Sequence, residues 1–451
     1  MTILLPEPRQ TPHGIVRAAP FDTTQSLPKE TDAVVIGGGI NGVMTAYWLA
    51  QRGVQVTLLE KGEIAGESSS RAFGWVSDLL LDPVKMELCA RSKNHWAHLQ
   101  ESIGELGYRR HGIAFMASGQ EELDFFASWK AEIGEERTDV TLLTSEQVAN
   151  KYPSRRTKVP GAIHCGTDGG AEPRLAAVTV ARAAQELGAK IITKCAARGL
   201  DIQNGRAVGV FTEKGLIKCD NVVFAGNLWS RLFCGNFGVS IPQLYAISSL
   251  CRTGPITDGP VGAGGRFEGA WREHIDGTYS IGRLMGQHAP ITRDSIQLFG
   301  QFLPALKAEW HSLKISLDAD ARQDWSRPRR WGMDDISPFE RERILQNVVD
   351  KSIGEKGWKE LNKHFDCFKD CEILEHWAGP ITITPDNLPI ASAVDSVSNF
   401  YLVTGCAYGF TWAPALAEVM ADLVQSRKPV IDHSLFRLSR FTDGTKLRLT
   451  M

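Results

Sequence analysis

Apolar and polar positions along the chain switch between two periods. Residues 32–36 are a short β-branched run, the pattern of a strand buried on both faces. A glycine-rich stretch, 37–42, follows it. Val43, Met44, Ala46, Tyr47, Leu49 and Ala50 then recur at helical spacing, and Gly53 marks that helix's end. Residues 54–59 read as a second strand ending at Glu60, which completes a β-α-β unit. Further on, Glu172-Pro173 opens a predicted helix through Leu187, stopped by Gly188. Ile191-Ile192 starts a strand, Asn204-Gly205 predicts a hairpin turn, and 221–226 is another buried strand, ending in Gly226.

From about 245 to 370 the pattern changes. Strand-like pieces at 245–251 and 277–282 precede charged helical stretches around 293–325 and 338–364. This reads as a domain inserted into the first. A buried strand returns at 400–405, and an amphipathic helix is predicted over 412–426. The chain shows no internal repeat.

Composition narrows the class. With 43% hydrophobic and 23% charged residues, the 451-residue chain supports a large core and is neither fibrous nor disordered. Fifty basic residues against 52 acidic ones leave a net charge of −2, which gives no footprint for nucleic acid. Nine cysteines are too sparse for a disulfide scaffold. Cys367 and Cys371 share a predicted helix face without partners for a metal, so no metal site is expected. No apolar run approaches the ~18 residues of a membrane span. The first 30 residues carry Pro6, Pro8, Pro12, Pro20 and Pro28 and read as a surface arm or as disordered chain, not as a signal peptide; a cytoplasmic location is expected.

The chemistry begins at Gly37-x-Gly39-x-x-Gly42, placed between a strand and a helix. The first glycine permits the tight turn, the second lets backbone approach a pyrophosphate, and the third lets helix pack on strand. Ile40 and Asn41 sit at the helix start, whose free N–H groups favour phosphate. Glu60, followed by Lys61, stands near the spacing of an acid that binds an unphosphorylated adenosine ribose. The unit therefore binds FAD or NAD.

Four further segments decide between them. They are Gly66 to Arg71, containing Ser69 and Ser70; Ala225-Gly226 to Ser230, with Trp229; Trp377-Ala378-Gly379 with 384–389; and Gly405 to Pro414, containing Tyr408, Gly409, Phe410 and Thr411. Together with the β-α-β unit they resemble the D-amino-acid oxidase superfamily of FAD-dependent amine and amino-acid oxidoreductases, over roughly residues 30–427. The resemblance implies an α/β fold (α+β overall). A Rossmann-like FAD-binding domain of the glutathione-reductase type would comprise 31–92, 160–240 and 375–430. An inserted antiparallel-sheet substrate domain would comprise 93–159 and 241–374, flanked by an arm (1–30) and a tail (431–451). It also implies non-covalent FAD, with Ala72, Trp75 and the Ala197 backbone at the cofactor.

The implied reaction is hydride transfer from the carbon beside nitrogen to flavin N5, giving an imine that hydrolyses. The substrate would be a small amine or (N-alkyl) amino acid, and the acceptor oxygen or another oxidant. Related amino-acid oxidases often carry an Arg two residues after Gly379, where this chain has Ile381. That departure argues against a plain α-amino acid: a substrate carboxylate would turn to Arg283 or Arg252, and the alternative is an amine without an α-carboxylate, such as a polyamine derivative, an N-alkylated amine or an opine-like conjugate. The strand 278–282 lacks the Lys with which sarcosine-oxidase-like members activate oxygen. That leaves open a dehydrogenase passing electrons to a quinone or partner protein, or a non-catalytic FAD subunit. Tyr279 and Tyr408 are the expected pocket aromatics, ahead of Trp75, Tyr245, Trp331 and Trp412. His164, His274 and His376 are expected to be structural.

Overall fold

The computed structural model describes residues 18–450. The first strand, β1 (Glu30–Ile36), runs into helix α1 (Ile40–Gln51) and strand β2 (Val56–Leu59). Helix α2 (Met86–Ser102) and helix α3 (Ala176–Glu186) follow, then strand β3 (Gly215–Phe224). The inserted part contributes strands β4 (Leu244–Thr253) and β5 (Tyr279–Gly282) and helix α4 (Phe299–Glu309). Strands β6 (Ile373–Ile383) and β7 (Val397–Thr404) and helix α5 (Gly409–Val424) close the chain's regular structure.

β2, β1, β3 and β7 lie side by side and parallel, with Lys190–Ile192 beyond β2. β1 is apolar throughout its inner half because helices cover both faces of such a sheet. Helix α1 is buried along eleven of its twelve residues, packed between α3 and α5. The Trp48 indole N–H donates to the carbonyl of Pro414 at 3.2 Å, tying α1 to α5. The Trp96 indole of α2 donates to Phe410 O at 2.7 Å and stacks on the Phe410 ring, which fixes the first turn of α5.

The second sheet centres on β4, which pairs along nearly its whole length with β6 and also with β5. It is mostly antiparallel but has two parallel pairings, Ala263–Arg266 with Ile113–Met116 and Gln287–Pro290 with Leu313–Ser316. The expected domain limits shift accordingly. Gly161–Cys165 and β6 belong to this second sheet rather than to the dinucleotide-binding one, because their hydrogen bonds go there. A limit at residue 92 would cut α2, one continuous helix packed on α5.

Smaller expectations also move. The helix expected from Glu172 starts at Ala176, and the one expected from Trp412 starts at Gly409. Cys367 lies in a short 3-10 turn and Cys371 beyond it, so they share no helix face. Residues 18–29 form an extended arm: Ala19 N–H donates to Arg174 O and Thr24 N–H to Ile191 O. The expected arm's first 17 residues lie outside the described part. Among the described residues no helix is long and apolar enough to cross a membrane.

Candidate active site

A cavity of about 1220 Å³ runs from the tip of β1 to the face of the second sheet. That exceeds the ~300–1,000 Å³ of a typical ligand pocket and leaves room for a dinucleotide and a second molecule.

One end is built from the glycine turn. Gly37 has φ +116°, and a Cβ there would lie 2.7 Å from the Ala225 carbonyl oxygen. A Cβ on Gly42 would lie 1.9 Å from Gly37 O. Gly37, Gly39, Ile40 and Asn41 line the cavity, while Gly42 stands behind it as the contact between helix and turn. The Ile40 N–H donates to Ser69 Oγ at 2.9 Å. Glu60 accepts from Gly38 N at 2.7 Å and from Gly62 N at 2.6 Å, so one carboxylate fixes the turn and borders the cavity together. Burial raises its pKa against the pull of Lys61 and the two N–H groups.

Lys61, Trp229 and Glu67 form the next wall. Lys61 Nζ lies 2.7 Å from Glu67 and 4.4 Å over the Trp229 ring, whose indole donates to Glu67 at 2.8 Å. Burial alone would raise the Glu67 pKa; Lys61, Leu345 N–H and Trp229 bring it below the usual range. Ala197, Ala225 and Gly226 supply small residues opposite.

Arg71, Ala72 and Trp75 continue the wall, facing Gly379. Ser70 does not reach it: its hydroxyl donates to Glu67 O. Burial lowers the Arg71 pKa, partly offset by Glu67. The final stretch is Tyr408, Gly409, Phe410 and Thr411, the start of α5, which has no side-chain cap. Its first-turn N–H groups are therefore free for an anionic or electron-rich ligand. Gly405 lies behind, at φ +69°, where a Cβ would meet Thr384 at 2.6 Å.

Among the described residues, three buried polar atoms lining the cavity have no hydrogen-bond partner: Asn41 Oδ1, Arg71 Nε and Trp75 Nε1. Buried polar groups are normally paired. Orphans on a glycine-made cradle fit a bound dinucleotide.

The other end is apolar with few charges. Leu250, Phe115, Phe267, Phe299 and Ile381 line it with Tyr245, and Ile381 occupies the place expected to lack an Arg. Arg283, just after β5, is the guanidinium of this end, and among the described residues it has no ion pair or hydrogen bond within the protein. Arg252 is excluded as its substitute. It is 1% exposed, paired with Asp276 and hydrogen-bonded to Thr278 at 2.7 Å.

Tyr279 is also displaced from its expected role. β5 alternates faces, so Gly282 borders the cavity while Tyr279 points into the opposite core. Its ring meets Phe368 edge-on at 5.5 Å, and its hydroxyl donates to Pro260 O at 3.3 Å. Trp412 and Trp331 are packing residues; the latter's indole donates to Arg198 O. His274 is structural, bonded to Glu172 and Ser280.

Phe73, Glu309 and Leu449, which carry no sequence signal, complete the cavity together with Glu67 and Asn387, whose segments the sequence marks without marking these side chains. A separate buried cluster brings Asp78, Cys165 and Asp168 within metal-binding distance of one another. Lys93 Nζ sits 2.9 Å from Asp78 and 3.0 Å from Asp168, so an ammonium already supplies the cation there.

Comparisons with known proteins agree with this geometry. The family model described as DAO, FAD dependent oxidoreductase, matches residues 32–423. The structure of an L-amino acid deaminase from Proteus myxofaciens, in complex with anthranilate, superposes with a TM-score of 0.90 at 34% identity, covering 95% of this chain and 98% of that one. 4-Methylaminobutanoate oxidase (formaldehyde-forming) of Paenarthrobacter nicotinovorans is 25% identical over 95% of this chain and 48% of its own length. Glycine oxidase of Pseudomonas aeruginosa is 23% identical over 88% of this chain and 96% of its own. The chain spans about half the length of several of the curated relatives it matches. The chain belongs to the DAO family of FAD-dependent oxidoreductases.

Proposed function

We propose that the protein oxidises the C–N bond of an α-amino acid or N-alkyl amino acid, with Arg283 holding the substrate carboxylate. The chemistry that FAD would supply, when held in the cradle, is acceptance of a hydride from the carbon beside nitrogen. The chain's own work is to bind, orient and exclude water. Asn41, Arg71, Trp75 and the free N–H groups of α5 would hold the cofactor, non-covalently. The single observation that carries the reading is Arg283: a guanidinium on a mostly apolar wall, with no partner among the described residues, matches a planar carboxylate. Tyr408 borders the same space, 37% exposed, and would close over the substrate's reacting end. Relatives named for amino-acid deamination and for glycine oxidation support the substrate class. No protein base is assigned, because the amine needs only to be neutral.

For the acceptor, the lining favours an oxidant other than oxygen. Among the described residues the one lysine lining the cavity, Lys61, is committed to Glu67, two carbonyls and the Trp229 face at the glycine end. A cytoplasmic location accompanies this reading, supported by nine unpaired thiols. The test is product analysis. The holoenzyme is given pooled amino acids, N-alkyl amino acids and carboxylate-free amines, with an artificial electron acceptor or with air. The reading expects oxo acid from the carboxylate-bearing pools, faster with the artificial acceptor. Turnover of carboxylate-free amines alone would overturn it.

A further inference from the structure

The chain's last described stretch, residues 443–450, has no helix or strand, yet it reaches the cavity. Leu449 lines the cavity wall. Thr450 is 3% exposed, and its N–H and Oγ1 both donate to the Asp386 carbonyl, at 3.1 and 2.8 Å. The Thr450 carbonyl in turn accepts from Asn387 Nδ2 at 3.0 Å and from Lys85 Nζ at 3.3 Å.

These contacts converge on the turn 384–387, which itself borders the cavity through Thr384 and Asn387. Asn387 is held at φ +58°, a left-handed conformation that needs support. Asp386 is held from a second side by Arg440, at 2.8 and 3.1 Å. Lys85 also stands 5.4 Å over the Tyr408 ring, so the same side chain touches the strap and the start of the α5 wall.

We infer that residues 447–450 are a docked strap belonging to the cofactor site: Thr450 positions the 384–387 turn, and Leu449 seals the cavity beside it, so that strap docking governs FAD retention. The surface being sealed is the family's cofactor cavity, so the inference stands whichever amine is oxidised. Thr450 is a positioning residue, acting on the site through the turn.

The test compares FAD dissociation constants, by flavin fluorescence, for the full chain, Thr450→Val, Thr450→Ser, Leu449→Ala and a chain lacking 446–451. The melting temperature of each apoprotein is measured alongside. The inference expects about fivefold weaker FAD binding in Thr450→Val, the loss of one hydrogen bond, with Thr450→Ser restored. Deletion weakens binding at least about tenfold and alters the bound flavin's absorption, while apoprotein melting temperatures fall by much less than the loss of affinity would require. Equal FAD affinity in all five proteins would overturn it. So would apoprotein melting temperatures that fall in step with affinity, since the strap would then merely stabilise the fold. If the shortened chain does not fold, the valine and serine variants decide alone.

Discussion

The carbonyl oxygen of Gly37 stands 1.9 Å from where a Cβ on Gly42 would be. No rotamer relieves that clash, because both groups are backbone or fixed to it. Gly42→Ala must therefore push α1 off the glycine turn. Overpacking of this kind costs roughly 1–3 kcal/mol, and here it falls on the phosphate cradle. FAD affinity should drop about 100-fold, and the protein should purify nearly colourless. Gly188→Ala, at φ +96° on the surface with open space around it, should keep its flavin while losing some stability. The flavin-to-protein absorbance ratio of the two variants checks this.

Arg283 is the next lever. Arg283→Ala should lower kcat/KM for carboxylate-bearing substrates by on the order of 100-fold, the scale of a lost charge-assisted pair. Arg283→Lys should recover only part, since an ammonium lacks the planar fork. FAD content should not change, because Arg283 lies at the substrate end. Steady-state kinetics on a carboxylate substrate and its amide would separate the two effects.

Two buried clusters give opposite pH signatures. Burial and the Arg272 charge push the His274 pKa down to about 4. The native state therefore keeps His274 neutral; its stabilising share is full above about 6.5 and is lost as pH falls towards 4, by up to on the order of 3 kcal/mol. Asp168 behaves in reverse. Burial and Asp78 raise its pKa to about 6, so the native state binds the extra proton, and its share grows as pH falls from about 6 to 4. Denaturant unfolding at pH 6.5 and pH 4.5 should show His274→Asn losing less stability than the wild type over that interval, and Asp168→Asn losing more. Parallel losses in all three would contradict the assignment.

The cofactor half of the site was legible in the sequence because its chemistry is local. Gly37, Gly39, Gly42 and Glu60 lie within one β-α-β unit, whose strand and helix signals sit beside the motif. The substrate half was not. Arg252 and Tyr279 lie in strands of the second sheet and Arg283 just after one, and which of them meets the cavity depends on strand face and register. Pairing of β4 with β5 sets Arg252 opposite Ser280 and buries it beside Asp276. Tyr279 and Gly282 then fall on opposite faces. A sequence offers no means of choosing among three such residues. Leu449 was out of reach for another reason: it reaches the cavity because its neighbour Thr450 docks on residues 386–387, a contact across more than sixty residues made without regular structure. Glu67 lay in a segment read for its hydroxyls, and its role as the shared acceptor of Lys61 and Trp229 appears only once β3 is folded beside it.

The measurement that tests the central claim most directly is the visible spectrum of the purified holoenzyme under anaerobic conditions. It is recorded before and after addition of an α-amino acid or N-alkyl amino acid pool, for wild type and Arg283→Ala. The account predicts a flavin spectrum in both proteins, bleached by the pool in the wild type and far more slowly in the variant. A flavin that no amino acid bleaches, or one bleached equally fast in both proteins, would contradict it.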